Sequence, residues 1–329
     1  MVVRTDSGQD VALLSGNDRH RRGKAWKVAR CGVVQGGACA TLSALMNFTQ
    51  PTATVFLPDN TPAATALAKV THLGVGAHQD DLEFMAFHGI MECFHATAQH
   101  FGGVTCTNGA GSSRTGAYCN FTDAQMQEVR REEQRQAAIV GRYAVMIQLD
   151  HPSSVVKSAA DARLRDDLSQ ILTHCRPQIV YTHNPADKHD THLGVMVALI
   201  EALRALPADR RPAAVHGCEV WRNLDWLNDA EKVAHHVSGH ENLAAALGGI
   251  FDSQIAGGKR YDLAVPGRRR ANATFFDSHA TDAATEIAFA LDLTPLVTDP
   301  TLDILDWTLS HIERFAADVR ARLGRRLGK

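Results

Sequence analysis

The chain has 329 residues, 45% of them hydrophobic and 21% charged, with 34 basic residues set against 36 acidic ones. That balance describes a soluble globular protein with a sizeable core, in one large domain or two, and argues against bulk electrostatic binding to nucleic acid. Seven cysteines, an odd number without Cys-x-x-Cys spacing, argue against a disulfide framework and for a reducing, cytoplasmic setting where they act as small buried hydrophobes.

Residues 1 to about 30 are polar and basic and read as a loosely packed entry without function. The stretch from Cys31 to Met46 is diluted by Gln35, Gly36, Gly37 and Ser43, too polar for a membrane span, although a cleaved export signal stays open. No membrane contact is expected.

The run Thr71-His72-Leu73-Gly74-Val75-Gly76-Ala77 then ends in His78-Gln79-Asp80-Asp81. A parallel strand covered on both faces holds its polar residues until it leaves the sheet, so these side chains mark a carboxyl-end exit, where such folds bind ligands. Across a tight turn, His78 and Asp81 offer one nitrogen and one oxygen donor to a borderline cation such as Zn2+. Neighbouring side chains leaving a strand point different ways, so Asp80 and Asp81 are not expected to chelate the same ion, and one carboxylate is free for acid–base work. The competing reading makes His78 and Asp80 caps of the following helix.

Leu82, Phe84, Met85, Phe87, Ile90, Met91 and Phe94 predict a helix on the sheet, followed by a strand at Val104–Thr107. The glycine- and serine-rich loop Asn108 to Cys119 is long enough to cover a site, and its Arg114 is a candidate contact for an acidic or hydroxylated substrate. Thr122 and Gln125 form a capping box for a helix on which Met126, Val129, Glu133, Ala137 and Val140 share a face. A buried Glu133 needs a partner, and Arg130, one turn back, supplies it. The strand Val145–Leu149 leaves at Asp150-His151, with Asp150 a candidate substrate contact. Leu164, Leu168, Ile171 and Leu172 mark the next helix, stopped near Pro177.

A second polar cluster, His183-Asn184-Pro185-Ala186-Asp187-Lys188-His189-Asp190-Thr191-His192, follows the strand-like Gln178–Thr182. His192 opens an amphipathic helix with Met196, Leu199, Ile200, Leu203 and Leu206 inward and Thr191 as its cap. A helix amino terminus favours neutral imidazole, the ligand form, so His192 is the third metal ligand. Asp187 is a further candidate substrate contact. Val215–Trp221 reads as a fifth strand. The alternation predicts a Rossmann-like α/β fold, an open, mainly parallel sheet of order 3-2-1-4-5 with helices on both faces. Strands 1 and 4 then adjoin at the switch point, where the two polar loops meet.

From Asn223 the alternation is lost. A helical region is expected from about Asp229 to Gln254, with His235, His236 and His240 on its surface, and Arg268-Arg269-Arg270 reads as a solvated turn able to bind an anion. Phe275-Phe276-Asp277-Ser278-His279 turns from buried to polar and makes His279 a pocket candidate. Leu305, Leu309, Ile312, Phe315, Val319 and Leu323 predict a final amphipathic helix. The expected divisions are an N-terminal extension, 1–67, a catalytic core, 68–222, and an α-rich C-terminal extension, 223–329, packed on that core.

The pair Ala77-His78-Gln79-Asp80-Asp81 and His189-Asp190-Thr191-His192 resembles the AHPDD and HPDH signatures of the zinc-dependent N-acetylglucosaminyl de-N-acetylase family, the PIG-L or LmbE-like proteins. The resemblance implies Zn2+ held by His78, Asp81 and His192, with Asp80 as general base and protonated His189 as oxyanion stabiliser or aid to the leaving group. Arg130 and Glu133 match the family's Arg-x-x-Glu helix feature, a support for the site. Gln79 stands where proline is usual and Thr191 where aspartate is usual, which bears on turn rigidity and ligand orientation. The implied activity is hydrolysis of an N-acyl amide, above all N-acetyl, on a small amino sugar or glycosylated metabolite, giving free amine and carboxylate. The alternatives are an amidase acting on a thiol conjugate or secondary metabolite, and a catalytically idle sugar-binding protein. Gly74-Val75-Gly76 lacks the third glycine of a dinucleotide fingerprint. Assembly into a homo-oligomer stays open.

Overall fold

The apolar run ahead of His78 becomes strand β2, His72–Gly76, buried at every residue. The structure, a computed structural model, describes residues 46–329, so the expectations for residues 1–45 lie outside the described residues. The other strands are β1 Thr54–Phe56, β3 Phe101–Thr107, β4 Val145–His151, β5 Ile179–His183, β6 Ala214–Cys218, β7 Lys232–His236 and β8 Ile287–Asp292. They form one sheet ordered β1-β4-β3-β2-β5-β6-β8-β7.

The five middle strands, β4-β3-β2-β5-β6, are parallel and stand in the expected 3-2-1-4-5 order. Successive side chains of a strand face opposite ways, and two apolar cores result. Val145, Ile147 and Val180 join Leu168, Leu199 and Leu203 on one face, while Met146 and Tyr181 join Leu82, Phe87 and Ile90 on the other. Pairing between β2 and β5 stops at Gly74↔Tyr181. Beyond it side chains bridge the two strands: Thr182 Oγ1 donates to the Val75 carbonyl at 3.1 Å, and Ala77 N–H donates to His183 Nε2 at 2.9 Å. The divergence opens a crevice at the switch point, between the two motif loops.

Both sheet edges extend beyond the expected five strands through antiparallel additions. β1 pairs with β4, β8 with β6 and β7 with β8. The helical region expected from about Asp229 to Gln254 is instead strand β7 followed by the helix Glu241–Gly249. Lys232–His236 carries too few apolar residues to announce a strand, since it pairs on one edge only. His235 is buried there rather than on the surface. The helix expected after Asp81 is two helices, Asp81–Met85 and Phe87–Phe94, broken at Ala86.

The three consecutive arginines do not form a solvated turn but lie in the helix Tyr261–Phe275. Adjacent helical side chains splay by about 100°, and each finds its own partner. Arg268 donates to the Val220 carbonyl, Arg270 to Glu286, and buried Arg269 to the carbonyls of Glu83 and Phe84. Among the described residues no helix is long and apolar enough to cross a membrane.

Candidate metal centre

The turn after β2 is held in a conformation that ordinary residues avoid. Asp80 sits at φ 102°, and a non-glycine residue there carries about 1–3 kcal/mol of strain. Its surroundings impose it. Asp80 N–H donates to Gln134 Oε1 at 3.2 Å, while Arg130 donates to the Gln79 carbonyl and, at 3.0 Å, to Asp80 Oδ2. Gln134 is held in turn by Glu83, whose Oε1 accepts from Gln134 Nε2 at 2.9 Å and from Tyr143 Oη at 2.7 Å. The side chain of Asp80 makes no capping bond to the helix it precedes, which removes the capping reading of that residue.

Three donor atoms converge on one point. His78 Nδ1 lies 3.3 Å from Asp81 Oδ2, His192 Nε2 lies 3.2 Å from His78 Nδ1, and His192 Nε2 lies 3.5 Å from Asp81 Oδ2. A tetrahedral ion with bonds of about 2.0–2.1 Å has ligand–ligand edges of about 3.3–3.4 Å, and this triangle fits one face of such a site. Two overlapping sets of donors within coordination reach, His78/His189/His192 and Asp81/His183/His192, share this corner. The triangle draws on both. His183 Nε2 is 3.5 Å from Asp81 Oδ2, yet its lone pair already accepts the Ala77 N–H, so His183 shapes the wall rather than completing the set.

The remaining ring nitrogens are oriented as a ligating histidine requires. His192 Nδ1 faces Asp187 Oδ1 at 3.5 Å. With His78 Nδ1 turned to the donor triangle, its Nε2–H donates to Thr191 Oγ1 at 3.2 Å, and that hydroxyl donates to His189 Nδ1. The backbone N–H of Thr191 donates to the same nitrogen, making His189 rather than Thr191 the cap of the helix Asp190–Arg204. A threonine can accept and donate at once, so the departure at position 191 keeps the orientation and adds a link to His189.

Electrostatics separates the two neighbouring carboxylates. Burial raises Asp80, helped by Asp81, and although Arg130 opposes it the carboxyl stands at about 6. Burial also acts on Asp81, but His192, His183 and His78 outweigh it and hold that carboxyl well below the usual range. One group is an anion facing three imidazoles, the other a carboxyl poised near neutrality. Burial, with His78 and His192 beside it, lowers His189 to about 4. The ring is therefore neutral at pH 7, and with Nδ1 accepting, its Nε2–H is the donor it offers. This differs from the protonated His189 expected.

The triangle opens into a cavity of about 730 Å³, lined by Asp80, Lys157, His189, Trp221 and Tyr261 among others. The loop expected to cover the site does line it, through Gly109, Gly111, Ser112 and Ser113. The expected substrate contacts lie elsewhere. Arg114 pairs with Asp123, and Asp150 pairs with Arg131 at 3.1 Å. Asp187 is buried behind His192 and also accepts the Trp221 N–H at 3.2 Å, while His279 is exposed in a bend. Arg130 and Glu133 sit as supports: Arg130 contacts Glu133 at 3.4 Å, and Glu133 accepts the N–H and hydroxyl of Ser253, each at 2.7 Å. Sequence reasoning missed His183, Thr191 as a bridge, Gln134, and the aromatic wall of Phe84, Trp221 and Tyr261. Only position 191, a departure within a motif, carried any signal.

The family model described as PIG-L, GlcNAc-PI de-N-acetylase, matches residues 73–203. A sequence search of curated proteins returns no match. Among solved structures, the conserved protein TT1542 from Thermus thermophilus is 18% identical, with a TM-score of 0.52 over 71% of this chain and 99% of that one. The N,N'-diacetylchitobiose deacetylase from Pyrococcus horikoshii is 16% identical, with a TM-score of 0.50 over 68% of this chain and 83% of that one. At these identities the likeness is one of fold. Both motif loops, the three converging donors and Asp80 fall inside the segment, residues 73–203, that matches the PIG-L family model.

Proposed function

We propose that the chain is a zinc-dependent hydrolase that removes an N-acyl group, in the first instance N-acetyl, from an amino sugar or glycosylated metabolite. The observation that carries this is the His78/Asp81/His192 donor triangle with an acid–base carboxylate, Asp80, directly beside it. A Zn2+ ion held there supplies Lewis acidity to a water and to the amide carbonyl.

The protein's own groups account for the proton movements. Asp80, fixed by Arg130 and Gln134, takes the proton of the attacking water as the new C–O bond forms. His189 donates its Nε2–H to the developing oxyanion; removal of one such donor lowers turnover by about 100- to 1000-fold. As the C–N bond breaks, Asp80 returns its proton to the nitrogen, leaving amine and carboxylate. Thr191 holds the tautomer that this needs.

The cavity supports a substrate of sugar size. Its volume of about 730 Å³ lies in the range of small-molecule sites, and Phe84, Trp221 and Tyr261 offer apolar faces for the less polar side of a pyranose. The free cysteines Cys93, Cys106, Cys119, Cys175 and Cys218 support a reducing compartment, the cytoplasm, as the place of action. Acetate release from N-acetylglucosamine and its glycosides tests the proposal. Turnover that Asp80→Asn abolishes without loss of metal is expected. Zinc uptake without hydrolysis of any N-acetyl sugar would favour the idle sugar-binding alternative.

A further inference from the structure

Among the described residues, nothing buries the apolar stripe that the sequence of the C-terminal helix, Ile304–Leu327, announces. Its attachment to the body runs through other residues. Ile304 and Trp307 pack on the core, Thr308 and His311 are buried, and Glu231 binds His311 Nδ1 at 2.8 Å and Arg314 Nε at 2.7 Å. Leu305, Leu309, Ile312, Val319, Leu323 and Leu327 are between 38% and 64% exposed. From Ala316 onward every residue but Asp318 and Gly324 is exposed. A solvated helical end of this length is marginal in water by itself and calls for a partner surface.

The stripe has a definite period. Leu305, Leu309, Ile312, Ala316, Val319 and Leu323 are spaced alternately four and three residues apart, the narrow seam of a left-handed helix pair rather than the broad face of a helix lying on a sheet or bilayer. Charge along the helix is polarised. Asp306, Glu313 and Arg314 lie in its first half, with Arg314 bound to Glu231 of the body, and Asp318, Arg320, Arg322, Arg325 and Arg326 in its second, with Asp318 paired to Arg322.

We propose that this helix pairs antiparallel with the same helix of a second copy of the chain. With the seam centred between Ala316 and Val319, Ala316 of each copy faces Val319 of the other, and Leu323 faces Ile312. Glu313 and Arg320 occupy equivalent flanking positions in successive heptads, and flanking positions of one kind meet in an antiparallel pair. Glu313 of each copy then lies beside Arg320 of the other, giving two equivalent ion pairs. A parallel pair would set Arg326 against Arg326 within the seam, whereas the antiparallel pair sets each Arg326 against Leu309 at the end of the seam, where its guanidinium reaches water. The antiparallel arrangement is self-complementary and closes at two copies.

Sedimentation velocity of the full chain across a concentration series is the test. The wild type is expected to be a dimer, and Ile312→Glu with Leu323→Glu, at exposed positions that face each other across the seam, to give a folded monomer with unchanged circular dichroism. Glu313→Arg or Arg320→Glu alone should raise the dimer dissociation constant by at least about tenfold, and the two together should restore it. A wild type that stays monomeric, a dimer indifferent to the seam variants, or a double charge reversal without rescue would overturn the proposal. So would a monomer that co-sediments with phosphatidylserine vesicles through this stripe.

Discussion

Replacing Arg130 by glutamine removes the guanidinium that contacts Asp80 inside the site. Arg130 is 1% exposed and lies 3.0 Å from Asp80 Oδ2. At that distance and an effective dielectric constant of about 20 the attraction is on the order of 5 kcal/mol, an upper figure. One pKa unit corresponds to about 1.4 kcal/mol, so even a quarter of that interaction moves the carboxyl by about one unit. The sign is fixed. Burial already lifts Asp80 to about 6 against the pull of Arg130, so loss of the guanidinium lifts it further and the base is ionised only at higher pH. The acid limb of kcat/KM for acetate release, measured from pH 5 to 9, should move upward by at least about one unit, with zinc content unchanged. Stability should fall by about 3–5 kcal/mol, since the carboxylates of Asp80 and Glu133 lose their shared partner. An acid limb that stays in place while the metal is retained would refute Asp80 as the ionising base.

Other outcomes follow from particular contacts. A Cβ at Gly194 would lie 2.1 Å from the Val156 carbonyl oxygen, so Gly194→Ala must displace the helix carrying His192 by about 1 Å. A misplacement of that size costs on the order of 100-fold in kcat/KM, and wild-type kinetics in this variant would contradict the packing. Thr191→Val cuts the links from His78 to His189, and zinc affinity measured by chelator competition should drop about 10- to 100-fold. Away from the site, burial lowers His88 and His216 to about 4 and His235 to about 2. The unfolded chain takes up these protons near pH 6.5 and the folded chain does not, so acid favours unfolding. Each ring then removes about 2 kcal/mol between pH 6.5 and pH 5, which denaturant melts should register and His235→Gln should lessen.

The five parallel strands and both motif loops were legible because burial on two faces leaves an unambiguous signal, an apolar run closed by polar residues. Strand β7 was not, since Lys232–His236 pairs at an edge and half-exposed, histidine-rich residues read as polar surface, whereas β8 carries the same buried apolar run, Ile287–Leu291, closed by Asp292, but lies outside the strand–helix alternation that marks the other five. The three converging donors could be named because His78 and Asp81 are close in sequence and His192 opens a helix. The supports Gln134 and Tyr143 reach the site across about fifty or sixty residues and carry no local mark. Arg114 and Asp150 look free in sequence, but find charged partners in the fold. The last helix shows the converse: its amphipathic pattern is real, yet the stripe faces away from the body.

The central claim is that His78, Asp81 and His192 hold a zinc ion. Inductively coupled plasma mass spectrometry on untagged, gently purified protein tests it most directly, with wild type beside His192→Ala and His189→Ala. Near-stoichiometric zinc in wild type and His189→Ala, lost in His192→Ala, is the predicted result. A wild type that neither contains zinc nor takes it up, or a His189→Ala variant that loses it, would contradict the assignment.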